Sequence, residues 1–147
     1  LILALAYCIN TITKSMGAAD FLLGVCESWM TPALFLSVTF IAGAVISFFT
    51  GSSWGTFAIC IPIAVPMAYS FTGGQLGTLV YAAVGAVVSG GLFGDHCSPV
   101  SDTTVLSSLG AACDHIDHVR TQLPYALLAA AVSMILWVVV AMVGGAA

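Results

Sequence analysis

Two carboxylates and several hydroxyls interrupt an otherwise apolar sequence between residues 94 and 105. The carboxylates are Asp95 and Asp102, and the hydroxyls around them belong to Ser98, Ser101, Thr103 and Thr104. Hard cations such as Na⁺ prefer oxygen ligands, by the logic that governs Ca²⁺ and Mg²⁺ sites. A carboxylate held away from water also binds protons more readily, so H⁺ competes with Na⁺ for the same oxygens. The stretch therefore predicts a cation site in which Asp95 and Asp102 carry the ion or the proton.

A second polar segment, residues 50–56, offers further oxygens from Ser52, Ser53 and Thr56. It is flanked by two apolar arms, residues 34–49 and 57–69, and both are shorter than the ~20 residues that cross a bilayer comfortably. Short arms around such a tip predict a re-entrant hairpin over residues 32–71. Its tip would lie inside the membrane, buried in protein, where its hydroxyls assist the cation site. Two ordinary short transmembrane helices joined by a surface turn are the alternative.

The composition places these residues in a membrane protein. The chain has 147 residues, of which 61% are hydrophobic and 5% charged, and its mean hydropathy is +1.14. A soluble domain carries about 25% charged residues, so we expect an all-α, multi-pass protein of the cell inner (plasma) membrane. Two basic residues in the whole chain exclude a nucleic-acid footprint.

The elements around the carboxylates predict a broken transmembrane helix over residues 78–113. A small-residue apolar helix leads in, and Gly94 and Pro99 interrupt it. A second half-helix, residues 103–113, leads out, with Asp102 and Thr103 placed to cap it. Broken helices of this kind hold ions near the membrane midplane in transporters. The alternative is a solvated loop over residues 94–118, but the small apolar residues after Pro99 favour burial of Asp95 and Asp102.

The remaining segments are simpler. Residues 122–143 predict a full transmembrane helix, and the polar residues 114–120, with Asp114 and Asp117, predict a surface loop. Residues 18–29 suit an interfacial helix, with a connecting loop as the alternative. The chain begins inside an apolar run, so we expect a fragment of a longer protein that forms a single transmembrane domain.

Other chemistry has little support in the sequence. The five cysteines include no CxxC pair, and a zinc site from His96, Cys97, Cys113 and His115 would lack the usual short ligand spacings. His96 suits a proton relay or an ordinary hydrogen-bonded histidine. Because no nucleophile elbow, phosphate loop or catalytic dyad is present, we expect neither an enzyme nor a cofactor, with Na⁺ and H⁺ as transported ions.

The polar motifs as written resemble those of the NhaC family of Na⁺/H⁺ antiporters. The first motif is Gly94-Asp-His-Cys-Ser-Pro-Val-Ser-Asp-Thr-Thr-Val-Leu-Ser-Ser108, followed by Asp114-His-Ile-Asp-His-Val-Arg-Thr-Gln-Leu-Pro-Tyr-Ala126. The second is Gly51-Ser-Ser-Trp-Gly-Thr-Phe57 with Pro62-Ile-Ala-Val-Pro66. The resemblance implies the C-terminal portion of such a protein. That portion is one half of an inverted-repeat transporter, with a re-entrant hairpin at 32–71 and a broken helix at 78–113.

The resemblance also sets the expected function, which is exchange of Na⁺ for H⁺ by alternating access. Asp95 and Asp102 would carry the ions, assisted by Ser98, Ser101, Thr103 and the hairpin-tip hydroxyls. The family includes Na⁺-coupled malate/lactate exchangers, so carboxylate exchange is one alternative, and a non-transporting membrane scaffold subunit is another. The expected partners are the missing N-terminal repeat of the parent chain and the lipid bilayer, and a homodimer is compatible with the sequence.

Overall fold

The structure is a computed structural model. It describes residues 30–144 and, before them, only positions 8, 11, 12, 15–17, 21, 24 and 25. The expected interfacial segment at 18–29 and the apolar segment that precedes it therefore lie largely outside the described residues.

The described part of the chain is helical and contains no strand. From residue 30 onward its helices are α1 (Pro32–Thr50), α2 (Ser53–Phe71), α3 (Thr78–Cys97), α4 (Asp102–Gly110) and α5 (His115–Gly144). All but the nine-residue α4 are long and apolar enough to cross a membrane. The expected class of all-helical polytopic membrane protein is confirmed at this level.

The arms of the 32–71 segment are longer than the sequence predicted. Both α1 and α2 have 19 residues, and only residues 51 and 52 separate them. The polar residues continue the helices because Thr50 donates its hydroxyl hydrogen to the Ile46 carbonyl (2.8 Å) and Thr56 donates to the Ser52 carbonyl (3.0 Å). Each arm is long enough to cross a membrane, so the prediction of short arms was wrong and arm length does not support re-entry.

The turn between α1 and α2 follows from two local features. Gly51 ends α1 in the left-handed conformation with φ 65°, which glycine adopts without steric cost. Ser52 then caps α2, because its hydroxyl accepts a hydrogen bond from the Gly55 backbone nitrogen at 3.3 Å. Gly51 and Ser53 are buried, whereas Thr50 and Trp54 are exposed, so protein covers one side of the tip.

Helices α1 and α3 run parallel and touch along their backbones. The Phe40 carbonyl lies against Gly90, and further along both helices the Phe48 carbonyl accepts a hydrogen bond from Ser98 at 2.6 Å. Contacts that advance together along both chains define a parallel pair. Helix α2 runs back alongside this pair and contributes Cys60, Ala64 and Met67 to the shared apolar core.

Helix α5 runs antiparallel to α3 and covers its other side. The Trp137 ring lies against Gly85 and its indole N–H donates to the Ser89 hydroxyl at 3.0 Å, while Gly144 approaches Thr78. In the most apolar 18-residue stretch of α5, only 6% of the residues are buried against other parts of this chain. The rest of this apolar surface is suited to lipid or to other parts of the protein.

The polar segment 114–120 is not a loop. Its residues from His115 onward form the first turns of the 30-residue α5. Asp114 starts the helix, because its carboxylate accepts hydrogen bonds from the backbone nitrogens of Ile116 (2.9 Å) and Asp117 (3.2 Å). Acidic side chains at a helix N-terminus are stabilising, which explains why so polar a segment is helical.

We predict that Gly94→Ala destabilises the fold, because a methyl group there would overlap the Ala44 carbonyl oxygen and lie 2.8 Å from the Phe48 backbone nitrogen. Backbone atoms cannot rotate away, so the helices must separate at a cost of about 1–3 kcal/mol or more. Thermal melting of the purified parent protein measures the effect. Gly110→Ala is the matched control, since nothing lies within 4 Å of its added methyl. Equal melting temperatures for the two variants would contradict the packing described here.

Candidate functional site

The Asp95 carboxylate lies in the last turn of α3 and is 3% exposed. The Ser101 hydroxyl donates to its Oδ1 at 2.8 Å, and the Thr103 hydroxyl lies 3.3 Å from its Oδ2. The two hydroxyl oxygens are 2.7 Å apart. Four oxygens therefore converge where α3 ends and α4 begins, and three of the predicted site residues meet there.

The start of α4 explains how Ser101 reaches Asp95. Ser101 occupies the N-cap position, but its side chain makes no capping hydrogen bond. Its hydroxyl hydrogen goes to the Asp95 carboxylate, and the residues between them, 98–101, are not helical. The predicted cap, Asp102, is instead the first residue of α4. The Ser101 side chain is therefore turned toward Asp95 and away from the first turn of α4.

Asp95 has no cationic partner within the described residues. Arg120 is the one Lys or Arg that they contain, and it is exposed on α5. A buried carboxylate that is hydrogen-bonded only by neutral hydroxyls remains costly, because its charge has left water without compensation. The hydroxyls of Ser101 and Thr103 are thus its side-chain partners, and the described residues bring no positive charge to it.

The break after α3 is in contact with the tip of the α1–α2 turn. The Ser98 hydroxyl donates to the Phe48 carbonyl of α1, as above, and accepts from the Val100 backbone nitrogen at 3.2 Å. A methyl group on Gly51 would lie 2.7 Å from the Val100 carbonyl oxygen. The two polar motifs of the sequence therefore pack against each other, although the Ser98 hydroxyl serves this contact and makes no bond to the Asp95 carboxylate.

The other predicted site residues lie elsewhere. Asp102 is exposed in this chain, so the predicted burial holds for Asp95 and not for Asp102. Ser52 caps α2, and the buried Thr56 packs on Gly91, one turn before Asp95. Ser53 is buried at the start of α2. No hydrogen bond joins these three tip hydroxyls to Asp95 in the described structure, and their role as ion ligands stays a prediction.

The histidine and cysteine neighbours of Asp95 do not form a metal site. His96 is exposed and its Nδ1 lies 2.9 Å from the Leu92 carbonyl, one turn back in α3. Cys97 is buried. No group of three His, Cys, Asp or Glu residues that could hold a metal occurs among the described residues.

Sequence reasoning missed two residues near the site. His115 bonds both the break and α4, although it was assigned to a loop. The sequence does indicate a helix at this point, since Asp114 is a good N-cap and no Gly or Pro follows it until Pro124. Ser47 of α1 is fully buried next to Gly94, and its hydroxyl has no hydrogen-bond partner in the described part of the chain. Nothing in the sequence distinguished it from the other small residues of its helix.

Comparison with known proteins finds relatives that include two antiporters. A protein of Haemophilus influenzae described as uncharacterized is 47% identical over 95% of this chain and 26% of its own length. The malate-2H⁺/Na⁺-lactate antiporter of Bacillus subtilis is 37% identical over 78% of this chain and 23% of its own. The Na⁺/H⁺ antiporter NhaC of Alkalihalophilus pseudofirmus is 34% identical over 81% and 25%. No solved structure matches the chain at a significant level.

This chain spans about a quarter of the length of these curated relatives. The model of the Na⁺/H⁺ antiporter family matches residues 1–142, nearly the whole chain. The polar motifs that suggested the resemblance lie within the matched range. The chain therefore belongs to the Na⁺/H⁺ antiporter family.

Proposed function

We propose that the parent protein exchanges Na⁺ for H⁺ across the membrane by alternating access, and that Asp95 carries the exchanged ion. The observation that carries the proposal is a buried carboxylate with hydroxyls on both oxygens and no cationic partner among the described residues. Such a group binds a proton or a cation and cannot hold both in the same place. Competition for one set of oxygens is the minimum requirement for coupled exchange.

The hydroxyls give the site two states. A serine or threonine hydroxyl has one hydrogen and two lone pairs, and it rotates to suit its partner. In the absence of a cation, the Ser101 hydroxyl donates to Oδ1 of Asp95 at 2.8 Å. When Na⁺ enters, the hydroxyls of Ser101 and Thr103 turn their lone pairs toward it and join the carboxylate as ligands. When a proton enters, the carboxyl group itself donates to one of these hydroxyl oxygens.

We also propose that α1 and α2 form a re-entrant hairpin and that α3 and α4 form one broken membrane helix. Together they would be one of two inverted repeats, and the other repeat would cover the exposed Asp102. Burial of Gly51, Ser53 and Thr56 supports re-entry, whereas Trp54 beside them is 70% exposed in this chain. One observation opposes it. Leu123, at the start of the apolar run of α5, shares a cavity with Phe48 and Cys97, which puts the tip near one end of that run.

Exchange of organic anions is a second candidate, favoured by the similarity to the malate/lactate antiporter. The N-terminus of α4 has no side-chain cap, so its backbone N–H groups are available to a carboxylate ligand. Asp102, at the first position of the same helix, would repel that ligand. An Arg or Lys from the rest of the parent chain would be needed to offset it. A scaffold subunit without transport would leave the buried Asp95 cluster without a role.

We predict that Asp95→Asn in the parent protein abolishes exchange, because an amide keeps the size and the hydrogen bonds but cannot ionise. The measurement is Na⁺-driven proton flux in proteoliposomes, with Li⁺, K⁺ and malate compared. Asp117→Asn, exposed in the first turn of α5, is the matched control and should retain transport. Full exchange by Asp95→Asn would rule out the proposed carrier, and malate-dependent flux without Na⁺/H⁺ exchange would favour the second candidate.

We predict that Ser101→Ala and Thr103→Val each raise the Na⁺ concentration for half-maximal exchange by about tenfold, as loss of one hydroxyl ligand implies. Lowering the pH should raise the same quantity in the wild type, since H⁺ and Na⁺ compete for Asp95. Initial rates of flux over a range of Na⁺ concentrations and pH values test both. Ser107→Ala is the control, because that hydroxyl is exposed and bonds only the Thr103 carbonyl. If the Na⁺ concentration for half-maximal exchange did not change with pH, Na⁺ and H⁺ would not share the Asp95 oxygens.

We predict that a cysteine at position 52 reacts slowly with membrane-impermeant thiol reagents from both sides of the membrane. Gln75→Cys, in the exposed turn after α2, should react rapidly and serves as the control. Both belong in a parent protein without native cysteines. Labelling at position 52 as fast as at position 75, from the opposite side, would mean that α1 and α2 are two complete crossings.

A further inference from the structure

His115, the first residue of α5, joins three elements of the structure. Its Nε2 lies 2.7 Å from the Pro99 carbonyl, in the break, and its Nδ1 lies 3.1 Å from the Ser108 hydroxyl of α4. The ring is half-buried and Ser108 is 2% exposed. The contact to Pro99 spans sixteen residues of sequence, so it fixes tertiary structure rather than a local turn.

The hydrogen positions follow from the partners. A carbonyl only accepts, so Nε2 must carry a hydrogen and donate it to Pro99. The Ser108 hydroxyl also lies 2.8 Å from the Val105 carbonyl. In the neutral ring, Ser108 gives its hydrogen to Nδ1; in the doubly protonated ring, Nδ1 donates to Ser108, which then donates to Val105. The bond from Nε2 to Pro99 is present in both states.

The Pro99 bond is one of the side-chain bonds that tie the break to other helices. Ser98 is fixed to the Phe48 carbonyl of α1, and Ser101 is fixed to the Asp95 carboxylate. His115 holds the carbonyl between them to α5. The backbone of the break adds two turn bonds, from the Ser98 nitrogen to the Asp95 carbonyl and from the Ser101 nitrogen to the Ser98 carbonyl. Because residues 98–101 are not helical, these turns and the side-chain bonds together set where the Ser101 hydroxyl lies relative to Asp95.

We propose that His115 is a positioning residue of the cation site. Its ring holds the break and α4 so that the Ser101 and Thr103 hydroxyls remain on Asp95. It neither touches the ion nor carries the exchanged proton, because its bond to Pro99 does not depend on the charge of the ring. The inference rests on the proposed Na⁺/H⁺ exchange. It assigns to α5 a role in the affinity of the site for Na⁺.

The test compares two amides at position 115 of the parent protein. Glutamine places its amide nitrogen about where Nε2 lies and can donate to Pro99, whereas asparagine reaches only the position of Nδ1 and Ser108. In proteoliposomes, His115→Asn should raise the Na⁺ concentration for half-maximal exchange by about tenfold, the loss expected of one buried hydrogen bond. Its maximal rate should change by less than about twofold. His115→Gln should stay close to the wild type in both quantities.

The same two substitutions at His118 are the control, because that half-buried ring is one turn further along α5 and makes no hydrogen bond in the described structure. Loss of exchange in His115→Gln, or equal affinities in His115→Asn and His115→Gln, would overturn the inference. If His115→Asn does not fold, a melting temperature for His115→Gln equal to that of the wild type, with unchanged Na⁺ affinity, still supports it. Absence of Na⁺-dependent proton flux in the wild type would instead overturn the proposed function and this inference with it.

Discussion

Gly90 and Gly94 let the backbones of α1 and α3 meet, and the position of the candidate site depends on that contact. The carbonyls of Phe40 and Ala44 occupy space that a side chain on α3 would fill. Because the helices are parallel and this close, their last turns end side by side. The α1–α2 turn then packs against the backbone that follows Asp95. Without the glycines, the tip and the break would be held apart by the width of a side chain.

The buried charge of Asp95 is the second constraint. Two hydroxyls bond it, and the described residues offer it no cation. A stable soluble core would replace such a group or pair it with a basic residue. Under the proposed function the same unfavourable energy would become useful, since an ion or a proton would relieve it. The exposed Asp102 lies on the side that the rest of the parent protein would cover.

The sequence predicted the class of the fold and the burial of Asp95, and it failed where tertiary contacts decide. Composition identified the membrane helices, and Pro99 identified the break between α3 and α4, whereas Gly94 lies inside α3 and packs on α1. The length of α1 and α2 was underestimated because Thr50 and Thr56 read as turn residues, although each bonds the preceding helical turn. Asp102 was predicted to be buried like Asp95, because periodicity alone cannot tell which side of a short helix faces the core. His115 was missed because its partners, Pro99 and Ser108, are distant in sequence.

The central claim is that one carboxylate holds either Na⁺ or H⁺. Calorimetric titration of the purified parent protein with Na⁺, in buffers of different ionisation enthalpy, measures the protons released per ion bound. The account predicts proton release in the wild type at a pH where the site is largely protonated, and no release in Asp95→Asn. Binding of Na⁺ without proton release in the wild type, or unchanged release in Asp95→Asn, would contradict it.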